Sequence, residues 1–210
     1  FHKIMPLGIA GGYNFWIGNH PGANGEQEQP KEALKFIEEN GLPNLQEEAI
    51  KQTKNFIFSH PLEFVKLSVL RVNKYFSIIR PMGFWFYLSG WGQFLFLISS
   101  ALASLILFIF SFGGILSAIK LKNNSINYLL AFTVATPLII FLTVVETRYR
   151  FQIYPLLAVF AGYFIVFLVG AKNWWKNRIF QLAALIIIFN GAVDLLLSIE
   201  KFKERIGWFF

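Results

Sequence analysis

Residues 94–119, 128–145, 151–169 and 179–199 form four stretches of 18 to 26 residues whose only charged side chain is Asp194. A helix rises about 1.5 Å per residue, so roughly 20 residues cross a hydrocarbon core about 30 Å thick. Backbone groups in lipid have to be satisfied within their own segment, which forces each stretch to be helical. Composition agrees. The 210 residues are 55% hydrophobic and include 25 Phe, and 15% are charged, against about 25% in a soluble domain. That is more apolar surface than one soluble core of this size hides. The expected fold is all-α: a polytopic membrane protein with four transmembrane helices in residues 94–199. An extracytoplasmic loop with amphipathic or interfacial helices precedes them in residues 1–93, and residues 200–210 form a C-terminal tail. The opening at Phe1, within loop-like sequence and without a signal peptide, reads as the interior of a longer protein.

The formal charge is +7, yet residues 1–93 are nearly balanced, with nine basic and eight acidic side chains. A nucleic-acid partner needs a basic patch on a soluble surface, so none is expected. The excess belongs to membrane loops. Residues 120–127 carry Lys120 and Lys122, and residues 170–178 carry Lys172, Lys176 and Arg178, with no acid in either loop. The positive-inside rule makes both cytoplasmic. Residues 1–93 and the turn at 146–150 then lie outside, the active side. The tail falls outside too, against the pull of Lys201, Lys203 and Arg205. There is no cysteine, and His2, His20 and His60 lack metal-ligand spacing. Neither a metal nor a cofactor is expected.

Before the first span, the glycine-rich residues 8–25 read as an ordered loop. Three helices follow. Pro30 opens the first, which buries Leu34, Phe36 and Ile37 and stops at Asn40-Gly41. Asn44 and Glu47 form a capping-box pattern for the second, with Leu45, Ala49, Ile50, Phe56 and Ile57 at helical spacing. The third runs from Pro61 to about Ile79 and ends at Arg80-Pro81. Its Leu62, Val65, Val69, Val72 and Phe76 make one face, and it either lies on a membrane surface or packs beneath a domain. Arg71, Lys74 and Arg80 attract anionic headgroups or form a solvated face. Gly83-Phe84-Trp85-Phe86-Tyr87 and Trp91 mark entry into the bilayer.

Candidate chemistry concentrates in Glu146-Thr147-Arg148-Tyr149-Arg150, two guanidinium groups and a carboxylate between two spans. Arginine matches phosphate oxygens with a planar fork of donors, whereas the plain reading is a turn whose charges reach for water. Asn14, Asn19 and His20 are polar contacts that a glycine-rich loop would present, or parts of a structural loop. Asp194 is a functional candidate by its depth in a span, with a structural role as the rival. Asn190, one turn away, is placed to hydrogen-bond across helices. Pro137 and Pro155 are expected to kink their helices.

The run Tyr13-Asn14-Phe15-Trp16-Ile17-Gly18-Asn19-His20-Pro21 with Gly25 resembles the external loop of bacterial dolichyl-phosphate-mannose-protein mannosyltransferase-like enzymes. Phe56-Ile57, His60-Pro61, Phe64, Leu67 and Arg71 follow in the same order. Glu146-Thr147-Arg148-Tyr149-Arg150-Phe151 with Tyr154-Pro155 resembles a stretch between late membrane helices of that family. The succession covers about residues 11–170. It implies the C-terminal half of a GT-C type membrane glycosyltransferase that takes sugar from a polyprenyl-phosphate-linked donor to a glycan, lipid or protein acceptor. The family's catalytic acid would lie upstream of residue 1, leaving this fragment inactive alone. Arg148 and Arg150 would face the lipid phosphate, with Glu146 and Tyr149 orienting them and Asn14, Asn19 and His20 near sugar or acceptor. The alternative is a non-enzymatic multi-pass module, such as a lipid-carrier transporter or assembly subunit.

Overall fold

A computed structural model describes residues 11–27, 29–41, 44–78, 90–121, 123–200 and 203. The described residues are all-α and contain no strand. In chain order the helices are α1 (Gly11–Gly18), α2 (Lys31–Asn40), α3 (Leu45–Ser59), α4 (Pro61–Tyr75), α5 (Gly90–Ala118), α6 (Asn124–Leu142), α7 (Tyr154–Val169) and α8 (Arg178–Leu197). Short 3₁₀ turns at Thr147–Gln152 and Trp174–Lys176 flank α7. Arg80-Pro81, the aromatic run at 83–87, Lys122, Lys201 and Arg205 lie outside the described residues.

The helices divide into two compact units. The first holds residues 1–72 and 138–146, the second residues 73–137 and 147–210. In the first, Trp16, Ala33, Leu45 and Ala49 form a core against which Tyr13, Phe36 and Ile37 pack. The expected glycine-rich loop is instead helical from Gly11. Its five residues Tyr13 to Ile17 are apolar or small enough to pack, and burial of Trp16 and Ile17 outweighs the helix cost of terminal glycines. α2 begins after Pro30 and ends at Gly41, whose φ of 70° suits glycine. Ala33 is its buried residue, while Leu34 stays 43% exposed. Asn44 precedes α3 but its side chain makes no capping bond, because its backbone is already helical (φ −97°, ψ −4°).

α4 departs furthest from its sequence pattern. Leu62, Val65, Val69 and Val72 are exposed, whereas Leu67, Arg71, Lys74 and Tyr75 are buried. The aliphatic stripe points away from the rest of the described residues, while Arg71 and Lys74 point in. Arg71 and Lys74 are therefore not on a solvated face.

In the second unit α5 packs on α7 and α8. Gly113 and Gly114 let α7 come close: a Cβ on Gly114 would stand 2.1 Å from the Phe160 carbonyl oxygen, and one on Gly113 would stand 2.2 Å from the Phe164 ring. Small residues at such crossings are the usual means of tight association between apolar helices. A polar ladder joins the segment after residue 72 to α8. The Asn73 amide donates to the Asn190 carbonyl oxygen at 3.0 Å and to its Oδ1 at 2.9 Å, and Asn190 returns a bond to the Asn73 carbonyl at 3.0 Å. Four residues on, Ser77 donates to the buried Asp194 carboxylate. Asp194 thus serves packing, and Asn190 bridges helices as its position suggests. Asn177 caps α8, accepting from the Ile179 and Phe180 amides.

Among the described residues three helices are long and apolar enough to cross a membrane: Phe94–Ala118, Asn124–Leu142 and Arg178–Leu197. α7 has 16 residues, about 24 Å, short of the roughly 30 Å core. It starts at Tyr154 rather than at 151 because the preceding residues wind as 3₁₀ turn. Pro155 then sits in the first turn, where a missing N–H costs nothing, and does not kink the helix. Pro137 lies inside α6 without ending it. Exposed Trp174 and Trp175 stand beside exposed Lys172, Lys176 and Arg178 in the loop before α8, the mixture found where helices leave a bilayer.

Gly114→Ala is expected to lower stability by about 2 kcal/mol or more through backbone overpacking. Gly162→Ala, whose Cβ would meet nothing within 4 Å, should be neutral or stabilising by up to about 1 kcal/mol. Thermal unfolding of both variants in detergent checks the pair.

Candidate functional site

In the first unit, three chain segments meet on one side chain. Arg71 is wholly buried. Its Nη1 donates to the Phe141 carbonyl oxygen at 3.1 Å, and its Nη2 donates to Asn19 Oδ1 at 2.9 Å and to the Gly18 carbonyl. Gly18 ends α1 and Phe141 lies in the last turn of α6. Carbonyls at helix C-termini lack partners of their own and carry the negative end of the helix dipole. Two such ends, rather than a carboxylate, hold this cation: no acidic side chain among the described residues pairs with it. Burial pulls its pKa down from the usual 12.5 to about 10, so it stays charged at neutral pH.

Asn19 belongs to the same node. Its amide nitrogen donates to Phe15 and Leu142 carbonyls, both at 2.9 Å, so its hydrogen bonds are spent inside the fold. Two glycines make the approach possible. A Cβ on Gly18 would fall 1.7 Å from the Thr143 oxygen, and one on Gly25 (φ 80°) would stand 3.1 Å from the Arg71 Cγ. The Gly25 carbonyl also accepts from the Val145 amide at 3.1 Å. Sequence alone offered Arg71 to anionic headgroups or to a solvated face. The signal present was the pair Gly18 and Gly25, which marks close approaches without saying to what.

His20 sits half-buried next to Asn19. Its Nδ1 lies 2.9 Å from the Pro21 oxygen, a contact that requires the Nδ1–H tautomer. It lines an open cleft of about 390 Å³ with Trp16, Phe36, Glu32, Lys35, Glu39, Glu48 and Gln52. A smaller cleft of about 190 Å³ shares His20 and Gln52 and adds Asn55, Ser59 and His60. Some of these groups pair internally: Gln52 donates to Glu48 at 2.6 Å, and Lys35 lies 3.8 Å from Glu39. Carboxylates, an ammonium, amides and imidazoles give hydrogen-bond partners of both senses along one wall. Asn14 is half-buried on α1 and makes no side-chain hydrogen bond among the described residues. No group of three His, Asp or Glu among the described residues is arranged to hold a metal.

The turn at Thr147–Gln152 belongs to the second unit, and Glu146, half-buried, to the first. The turn's two arginines differ. Arg150 is 2% exposed, donates to the Lys74 carbonyl oxygen at 2.8 Å and lies 5.9 Å from the Phe108 ring centre. Tyr75 donates a long bond, 3.4 Å, to the Tyr149 carbonyl. Burial raises the Tyr75 pKa to about 12, partly countered by the Arg150 charge. Arg148 is exposed and lies 5.5 Å from the centre of the Tyr149 ring. Phe151, in the same turn, is 68% exposed and packs edge-on to the Tyr154 ring. Arg150 thus anchors the turn, and Arg148 is the guanidinium it presents.

Arg71→Leu is expected to cost about 3–5 kcal/mol, since it strands the Gly18, Phe141 and Asn19 acceptors. Arg71→Lys should recover only part of this, because one ammonium lacks the fork that spans all three. Thermal unfolding and limited proteolysis near residues 19–27 report the loss.

The chain matches no protein-family model, no curated protein and no solved structure.

Proposed function

We propose that the chain is the C-terminal portion of a multi-pass GT-C type glycosyltransferase. It would move a sugar from a polyprenyl-phosphate-linked donor to an acceptor on the outer face of the membrane. The observation that carries this reading is the turn at Thr147–Gln152, which offers an exposed guanidinium at Arg148 and, three residues on in the chain, an exposed ring at Phe151. The turn follows a span-length helix by a few residues, so its charge belongs near a lipid–water boundary. A polyprenyl phosphate carries an anion on an apolar chain and calls for that pair of contacts.

In this reading α7 and its preceding turn make the fourth crossing, and the basic loops after α5 and α7 are cytoplasmic. As the sugar departs, negative charge grows on the leaving phosphate, and a fixed cation stabilises it more than it stabilises the intact donor. Arg148 supplies that cation. Tyr149 lies against it, Arg150 fixes the backbone below, and Glu146 adjoins the turn in sequence. His20 and its cleft, with Asn14, take the sugar or acceptor hydroxyls, while Asn19 holds the end of α1 in place. The base that activates the acceptor comes from the upstream external loop that the family resemblance implies.

In the full-length parent, Arg148→Gln should lower transfer from the lipid-linked donor by about 10²–10³-fold with little change in melting temperature. Arg150→Gln should lower the melting temperature as well. Unchanged transfer in Arg148→Gln would remove the phosphate role from this turn.

A further inference from the structure

We infer that α4 is a membrane-surface helix, with Leu62, Val65, Val69 and Val72, and Phe58 at the end of α3, seated at the headgroup–acyl boundary of a lipid bilayer. These side chains are 85%, 57%, 65%, 38% and 83% exposed respectively. At 3.6 residues per turn the four on α4 fall within an arc of about 80°. The opposite face of α4 is already occupied: Leu67 and Arg71 are buried there. Among the described residues the stripe is thus the face without a protein partner.

Three features select lipid as what covers it. First, the stripe is aliphatic and free of charge, yet exposed lysines adjoin it, Lys54 one turn before Phe58 and Lys66 one turn after Leu62. Glu63, half-buried, lies farther round the helix. Lysine stems run along apolar surface while their ammonium groups reach phosphates, the arrangement of an interfacial helix. Second, five side chains offer on the order of 500 Å², well under the roughly 800 Å² a side of a stable protein interface. Third, three helices among the described residues are long and apolar enough to cross a membrane, so a bilayer is at hand without any further partner. A membrane contact of this kind holds whether or not the chain transfers sugar.

The chain has no cysteine, so single nitroxide labels can be placed cleanly. Leu62→Cys, Val65→Cys and Val69→Cys, with Lys35→Cys as the aqueous reference, would be labelled in the full chain in phosphatidylglycerol-containing nanodiscs. Collision rates with oxygen and with a neutral, water-soluble nickel chelate are then compared. Lipid contact predicts oxygen access well above the nickel chelate at all three stripe positions, and nickel access several-fold below the Lys35 reference. High nickel access would place the stripe in water, and low access to both reagents would mean that protein covers it. Either result overturns the inference. All three sites are exposed, and unchanged melting temperatures verify that the labelled variants are folded.

Discussion

α4 buries Arg71, Lys74 and Tyr75 and leaves Leu62, Val65, Val69 and Val72 outside, and much else is arranged around that inversion. A guanidinium taken out of water costs several kcal/mol unless its donors are met. The Arg71 Nη1 and Nη2 are met by carbonyl oxygens from the ends of α1 and α6 and by Asn19, while its buried Nε finds no partner among the described residues. Those acceptors were themselves incomplete, since helix C-termini leave carbonyls unbonded. One buried charge and two helix ends therefore solve each other's deficit. Glycines at 18 and 25 are needed because the chain passes too close for a Cβ.

The second unit relies on a different economy. Helices as apolar as α5 and α7 gain little from hydrophobic contact if lipid surrounds them, so close packing and hydrogen bonds carry the specificity. Gly113 and Gly114 provide the first, and Asn73, Ser77, Asn190 and Asp194 the second. The four-residue spacing on both strands of the ladder keeps it on one helix face. Asp194 is buried as a hydrogen-bond acceptor of Ser77, which accounts for an acid within an otherwise apolar helix.

The turn at Thr147–Gln152 separates two residues that sequence treats alike. Arg148 and Arg150 are two positions apart, and a 3₁₀ turn of three residues per cycle sends them in different directions. Arg150 is held by the Lys74 carbonyl and the Phe108 ring, and Arg148 is exposed over the Tyr149 ring.

Apolar length by itself determined the helical class and the approximate positions of α5, α6 and α8, because hydrocarbon thickness sets a residue count that no tertiary contact alters. Pro30 and Gly41 were likewise readable as a local start and stop. Tertiary structure alone decided that Gly11–Gly18 is a helix, that α7 is short, and which face of α4 is inside. Periodicity reveals that a helix has two faces but assigns the apolar one to the interior, an assumption that fails where buried carbonyls elsewhere in the chain need a cation. Arg71 and Gly18 are 53 residues apart, and no local pattern connects them.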